Sequence, residues 1–353
     1  MPFAYTRIPV STRDGFRLTL FRHHRHRPEI HRDHPPVLLL PGMGSNRFTF
    51  ALTADDGLPE LLFRAGFDVW IGEFRGSRSS TWLGRVAPPV RVAAKLDADL
   101  PAMLEVIARH TEGRPVSLIG HSLGGLLALL HAGLPERAAS VASVVTLCTP
   151  GAPPPRASLS GKAVAGRVAA RGLSGLDALK VAPLARVRGP VPHLVALSSH
   201  FRPGTTSPGL RRQYFEAAVE DIPGAELADL LRWQTTGRLE LDLGDAGLRT
   251  SCLVHDRLPR VQVPVLAIAS SADGVVPAER ARFTFDRLTG ANNRTWRLVG
   301  RQAGARHDYA HADLLLASSA REDVLLPVVA WLDATIRGGR SDAANEPQKL
   351  AMI

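Results

Sequence analysis

Cysteine is almost missing from this chain, with two in 353 residues. Cys148 and Cys252 are too few for a disulfide framework and too far apart for a zinc motif. Cys148 ends the apolar run Val144-Val145-Thr146-Leu147-Cys148 and reads as a buried core thiol. Long apolar runs are missing too: the longest is broken by His121, His131, Pro135 and Glu136, short of a membrane span. The opening Met1-Pro2-Phe3-Ala4-Tyr5-Thr6-Arg7 lacks the apolar core of a signal peptide. Internal repeats are absent. Acidic residues are in deficit, 33 against 43 Lys and Arg, for a formal net charge of +10. That balance suits nucleic acid, an anionic membrane or an acidic partner. With no basic motif interleaved with aromatics, nucleic acid drops out. The expectation is a soluble cytoplasmic protein, with peripheral contact at a membrane left open and its oligomeric state unread.

What is present is a 45% hydrophobic chain with a clear α/β rhythm. After a hairpin over Ile8 to Arg22, turning at Asp14-Gly15, apolar strands alternate with helical stretches. The strands are Val37–Leu40, Phe67–Gly72, Val116–Ile119 and Ser140–Leu147; the helices cover Leu58–Ala65, Val90–His110 and Leu126–Ala132. Continuous Val/Leu/Ile runs between helices predict a mostly parallel sheet covered on both faces. The rhythm breaks from about Gly151 to Arg260, where only His193–Leu197 reads as a strand, and resumes with Val263–Ala269, Pro277–Leu288, Thr295–Val299 and Ser318–Ile336. One sheet carrying a large insertion fits this better than two consecutive domains. The expected division is a core over 1–150, an inserted cap over 151–260, the rest of the core over 261–337 and a disordered polar tail over 338–353.

Gly120-His121-Ser122-Leu123-Gly124 lies where a buried strand meets a buried helix. Gly-x-Ser-x-Gly alone is weak evidence, but a strand turning abruptly into a helix strains its apex residue and lifts the Ser122 hydroxyl clear of the sheet. Serine needs a histidine base, itself oriented by a carboxylate. In the fold that uses this elbow, the acid follows a later strand and the base follows the last. Asp273, in Ser271-Ala272-Asp273-Gly274, fits the acid, against the plainer role of capping the next helix. Two histidines follow the last strand, His307 and His311; His311 is preferred because the Leu314-Leu315-Leu316 run after it can fix its backbone. Oxyanion donors would be the backbone N–H of Leu123 and that of Met43, whose flanking glycines let it turn inward.

In these features the chain resembles the α/β-hydrolase superfamily over almost its whole length. More narrowly, Asp68-Val69-Trp70 with Arg75-Gly76, and Tyr309-Ala310-His311-Ala312-Asp313-Leu314, resemble the acid-lipase-like branch. The second segment supports His311 over His307. The resemblance implies hydrolysis of lipid or other carboxylic esters through an acyl-enzyme, with no metal or organic cofactor. It also implies a cap between the sixth and seventh core strands. The chain departs from the branch at Pro41, where a histidine is usual, and at Ser270, where a glycine is common. Acyl transfer by the same triad and a non-catalytic binding role are the alternatives. In the cap, Leu227, Leu230, Leu231 and Trp233 are spaced to share one helical face, with Trp233 as a candidate for contacting an acyl chain.

Two further clusters are read conservatively. His23-His24-Arg25-His26-Arg27, with His31 and His34, has no metal-ligand spacing and reads as a solvated hairpin loop. Residues 151–190 hold seven Lys and Arg against Asp177 alone. They read as a solvated cap surface rather than a lid for anionic lipid.

Overall fold

The computed structural model describes residues 4–24, 35–53, 55–151, 178–179, 199–236, 239–242 and 251–336. The expected strand at His193–Leu197, the basic residues of the 151–190 stretch and the tail from Gly338 lie outside the described residues.

The chain opens with the antiparallel hairpin β1 (Ala4–Ser11) and β2 (Phe16–His24). β3 (Pro36–Leu40), helix α1 (Leu58–Arg64) and β4 (Asp68–Glu73) follow. Helix α2 (Leu100–His110) is entered through a helical turn at Val92–Ala94 and a π-helical stretch at Lys95–Asp99. Then come β5 (Val116–His121), α3 (Leu123–Ala132) and β6 (Val141–Leu147). The long excursion before the sheet resumes includes α4 (Pro208–Ala217) and α5 (Gly224–Thr236). β7 (Val265–Ser270), α6 (Ala278–Phe285), β8 (Arg294–Val299) and α7 (Leu326–Ile336) complete the chain.

The sheet runs β1-β2-β4-β3-β5-β6-β7-β8, with the two-residue strand Thr81–Trp82 pairing β2. All pairings from β4 to β8 are parallel and both pairings of β2 to its neighbours β1 and β4 are antiparallel. Strand alternation sorts the core into two layers. Leu38, Leu40, Trp70, Leu118 and Val144 face a cluster holding Met103 and Ile107 of α2 and Leu126 and Leu127 of α3. Val37, Leu39, Val69, Ile119 and Val145 face the other cluster, with Leu61 and Leu62 of α1 and Val328 and Leu332 of α7. Helices thus cover both faces, as the unbroken apolar strands require. The chain passes from β3 to β4 on one side and then returns to β5 on the other. This reversal opens a crevice at the carboxyl ends of the strands, where such sheets bind ligands. No described helix is long and apolar enough to cross a membrane.

His23 departs from the solvated-loop reading. It is buried in β2, with Nε2 3.0 Å from Glu60 Oε2 and its ring 5.1 Å from those of Tyr5 and Phe63. The strand continues to His24, and alternation places His23 on the same face as Phe21, toward α1. Residues 25–34 lie outside the described residues.

Candidate active site

Ser122 sits between β5 and α3 with φ 53° and ψ −121°, a positive-φ conformation that costs a side-chain-bearing residue on the order of 1–3 kcal/mol. Its neighbours make that conformation attainable. A methyl group on Gly124 would lie 2.1 Å from the Leu40 carbonyl oxygen, and one on Gly120 would lie 2.2 Å from the Gly125 nitrogen. Only glycine lets the start of α3 press this closely against β3 and β5. The turn is pinned from below by Ser122 N–H donating to Leu147 O at 2.8 Å, and its carbonyl accepts from Gly125 N at 3.1 Å. Ser122 itself remains half-buried while every residue of α3 is buried.

The loops after β7 and β8 bring the acid and one histidine together. His311 Nδ1 lies 2.7 Å from Asp273 Oδ2, with both residues buried. The other carboxylate oxygen, Oδ1, accepts from the backbone N–H groups of Val275 and Val276, each at 2.8 Å. Burial pushes the Asp273 carboxyl up, but the His311 ring and then the Val276 N–H outweigh it and hold the group below the usual carboxylate range. Asp273 is therefore the ionised partner that fixes the ring's orientation. The two loops are joined by Ala272 N–H donating to Tyr309 O at 3.0 Å. His307 is not brought to the acid. It is half-buried, its ring edge-on to Tyr309 at 6.3 Å.

The His311 ring reaches the elbow. Its centroid is 4.5 Å from that of His121, the residue before Ser122, and His121 Nε2 lies 3.1 Å from the His311 carbonyl oxygen. Burial, and then the neighbouring His311, push His121 down to about 3, so its ring is neutral and Nε2 donates this bond. The loop after β3 passes over the same point. A methyl group on Gly42 would sit 3.0 Å from Ser122 Cβ and 3.6 Å from its Oγ. Met43, next in the loop, is half-buried, and Leu123 begins α3. The loop is held from outside by Glu220 N–H donating to Gly44 O at 2.8 Å and by Asn46 Nδ2 donating to Glu220 Oε1 at 2.7 Å. Beside it opens a shallow polar cleft walled by Gly42, Gly44, Arg75, Lys95 and Glu220.

Several residues at the site carried no clear signal in the sequence. Asp313, fully buried, accepts from Arg202 N at 2.6 Å, from the Thr205 and Thr206 hydroxyls at 2.7 Å each, and from Ala310 N at 3.2 Å. It thereby ties the segment ahead of α4, within the long excursion, to the His311 loop. His200 from that same segment places its ring 5.7 Å from His311. Cys148 lies behind the acid. Its Sγ, an Asp273 oxygen and a His311 nitrogen are all within 4.8 Å of one another, a set that could in principle ligate a metal ion. The geometry disfavours that use. His311 Nδ1 is committed to Asp273, and burial, then the adjacent carboxylate, push the thiol well above its ordinary value.

Trp233 falls elsewhere than its expected role requires. It is 1% exposed and packs with Leu230 in the core layer that contains α2 and α3, while Leu227 and Leu231 are only half-buried. The inward stripe of α5 is Glu226, Leu230 and Trp233, so the four residues do not share one buried face. In this structure Trp233 is a core side chain.

A family model described as the alpha/beta hydrolase fold matches residues 35–166. Lipase member K of Homo sapiens is 30% identical over 137 residues, 36% of this chain and 34% of that lipase. Triacylglycerol lipase 2 of Arabidopsis thaliana is 36% identical over 99 residues, 26% of this chain and 23% of the relative. Each match thus spans only a minor part of the relative's own length. Among solved structures, a thermophilic esterase from Thermogutta terrifontis superposes with a TM-score of 0.58 at 16% identity, covering 94% of this chain and 99% of that one.

Proposed function

The chain has the α/β-hydrolase fold and resembles lipases in sequence, and on that premise we propose that it is a serine hydrolase of carboxylic esters. Ser122 Oγ attacks the acyl carbon. His311 Nε2 takes the hydroxyl proton and returns it to the leaving alcohol, while Asp273 holds Nδ1–H and offsets the charge on the imidazolium. The backbone amides of Met43 and Leu123 receive the oxyanion. Water then attacks the acyl-enzyme with His311 again as base, releasing the acid and restoring Ser122. The described residues 199–236, between β6 and β7, serve as part of a cap over this site, and apolar acyl esters are the substrate class.

One observation carries the reading above the rest. The buried 2.7 Å His311–Asp273 contact sits against the residue that precedes a serine in a strained, positive-φ elbow. A Gly-rich strand–helix turn that merely capped a helix would need neither the buried carboxylate nor the ring beside it. The test is hydrolysis of a p-nitrophenyl ester series from acetyl to decanoyl by the wild type. The proposal expects kcat/KM to rise with chain length, by a factor set by roughly 0.8 kcal/mol per buried methylene, until the pocket is full. Absence of hydrolysis across the series by the folded protein would remove the ester-hydrolase reading. A best rate on acetyl would remove only the preference for apolar acyl groups.

A further inference from the structure

Cys148 follows β6 directly and has φ 51°, one of three non-glycine residues with positive φ among the described residues, alongside Ser122 and Glu112. Its backbone is held there by its N–H donating to Ile268 O at 2.8 Å, which ties the end of β6 to β7. A side chain is thereby aimed at the turn that carries Asp273. The thiol is fully buried, and its Sγ is 3.2 Å from the hydroxyl of Ser270, also fully buried. The Asp273 carboxylate and the His311 ring lie within 4.8 Å of the same sulfur.

We propose that Cys148 is a positioning residue for the Asp273–His311 pair, its thiol donating a hydrogen bond to the Asp273 carboxylate and accepting one from the Ser270 hydroxyl. The inference rests on the Ser122–His311–Asp273 reading above. The direction follows from counting hydrogens. The thiol carries one hydrogen; His311 Nδ1 is committed to Asp273, the ionised carboxylate can only accept, and the Ser270 hydroxyl can donate. The one arrangement satisfying all three groups sends S–H to the carboxylate and O–H to the sulfur. Burial beside an anion keeps the thiol protonated and able to donate. Asp273 then receives the two backbone amides on Oδ1, the imidazole on Oδ2, and the thiol as a further donor. The chain links two features the triad leaves unused: a buried cysteine, and a serine at a position where the related branch commonly has glycine.

A donor to the carboxylate withdraws part of its negative charge from the imidazolium. Removing that donor strengthens the carboxylate's hold on the protonated ring, which moves the acidic limb of kcat/KM upward. The expected shift for Cys148→Ala is about half a pH unit, the size of a weak charge-assisted hydrogen bond. Cys148→Ser keeps a donor and should return the limb to the wild-type position or below it. Ser270→Ala should move it in the same direction as Cys148→Ala, but less. The other titratable groups facing the ring are His121 from β5, held neutral by burial, and His200 from the segment ahead of α4. His200→Gln made alone and with Cys148→Ala separates the His200 contribution, and the Cys148 shift should persist in both backgrounds.

A second readout requires no turnover: the pH titration of the low-field His311 Nδ1 proton by NMR, which should follow the same order across the variants. Thermal unfolding identifies variants that fold; if Cys148→Ala does not, Cys148→Ser and Ser270→Ala carry the test. A limb and proton titration unmoved in folded Cys148→Ala, or in folded Ser270→Ala where it alone survives, would overturn the proposal. So would a shift in Cys148→Ala that Cys148→Ser fails to reverse. A wild type that shows the NMR shifts but no ester hydrolysis would instead overturn the functional reading and leave this hydrogen-bond chain standing.

Discussion

Replacing Asp273 by asparagine changes one atom, and the structure dictates where that atom must go. Oδ1 receives two backbone N–H groups, from Val275 and Val276, at 2.8 Å each. An amide NH2 cannot occupy that place, because donor would face donor twice. The asparagine carbonyl must stay there, which turns its NH2 toward His311 Nδ1, the atom now 2.7 Å from Oδ2. Nδ1 then has to accept, so the ring's proton moves to Nε2 and the lone pair that should receive the serine proton is gone. Holding a catalytic imidazole in this wrong tautomer lowers kcat by about 10⁴ in the chymotrypsin-type triad, or about 5.5 kcal/mol at the transition state. A loss of that order is expected here, with KM nearly unchanged because no substrate contact is removed. The assay is p-nitrophenyl butyrate hydrolysis at pH 7.5 with active-site titration to count competent enzyme. Stability should follow the sign of the Asp273 shift. A carboxyl held below its unfolded value adds stability above that value and loses it as pH falls through the folded one. Any stability deficit of the variant from losing this charge should therefore shrink below about pH 4. Retention of more than a tenth of wild-type kcat by the folded variant would refute the tautomer argument.

The two histidines after β8 should separate by mutation: His311→Ala should lose activity about as deeply as Ser122→Ala, and His307→Ala less than about tenfold, read as kcat/KM on the same ester. The buried pair of Lys95 Nζ and Glu226 Oε1, 2.5 Å apart, joins the start of α2 to α5. Lys95→Met alone should cost about 3 kcal/mol in urea unfolding, and Lys95→Met with Glu226→Leu should recover most of it, because the lone buried carboxylate is the main penalty.

The elements were readable wherever periodicity was unbroken. β3, β5 and β7 are continuous apolar strands, and their positions follow from the run of Val, Leu and Ile residues. Ser122 was legible because strand, turn and helix adjoin in sequence, so the elbow is a local property. Asp273 and His311 were legible through their order along the chain; their 2.7 Å contact depends on how the loops after β7 and β8 fold. Cys148 and Ser270 were opaque because strand order decides their meeting. They touch only because β6 lies beside β7, with Leu147 opposite Ile268, and order within a parallel sheet leaves no local trace. His23 departs from expectation for another reason: the two-residue period that pairs it with Phe21 on the buried face of β2 overrides the polar composition of the His/Arg cluster that follows. Trp233 shows the limit of helical spacing, which predicts a shared stripe but not what the stripe faces.

The claim that Ser122 is an activated nucleophile is tested most directly by reacting the folded protein with a fluorophosphonate probe and mapping the modified peptide by mass spectrometry. The account predicts stoichiometric modification at Ser122 in the wild type, none in Ser122→Ala, and a labelling rate reduced by orders of magnitude in His311→Ala. An adduct on another residue, or undiminished labelling of folded Ser122→Ala, would contradict it.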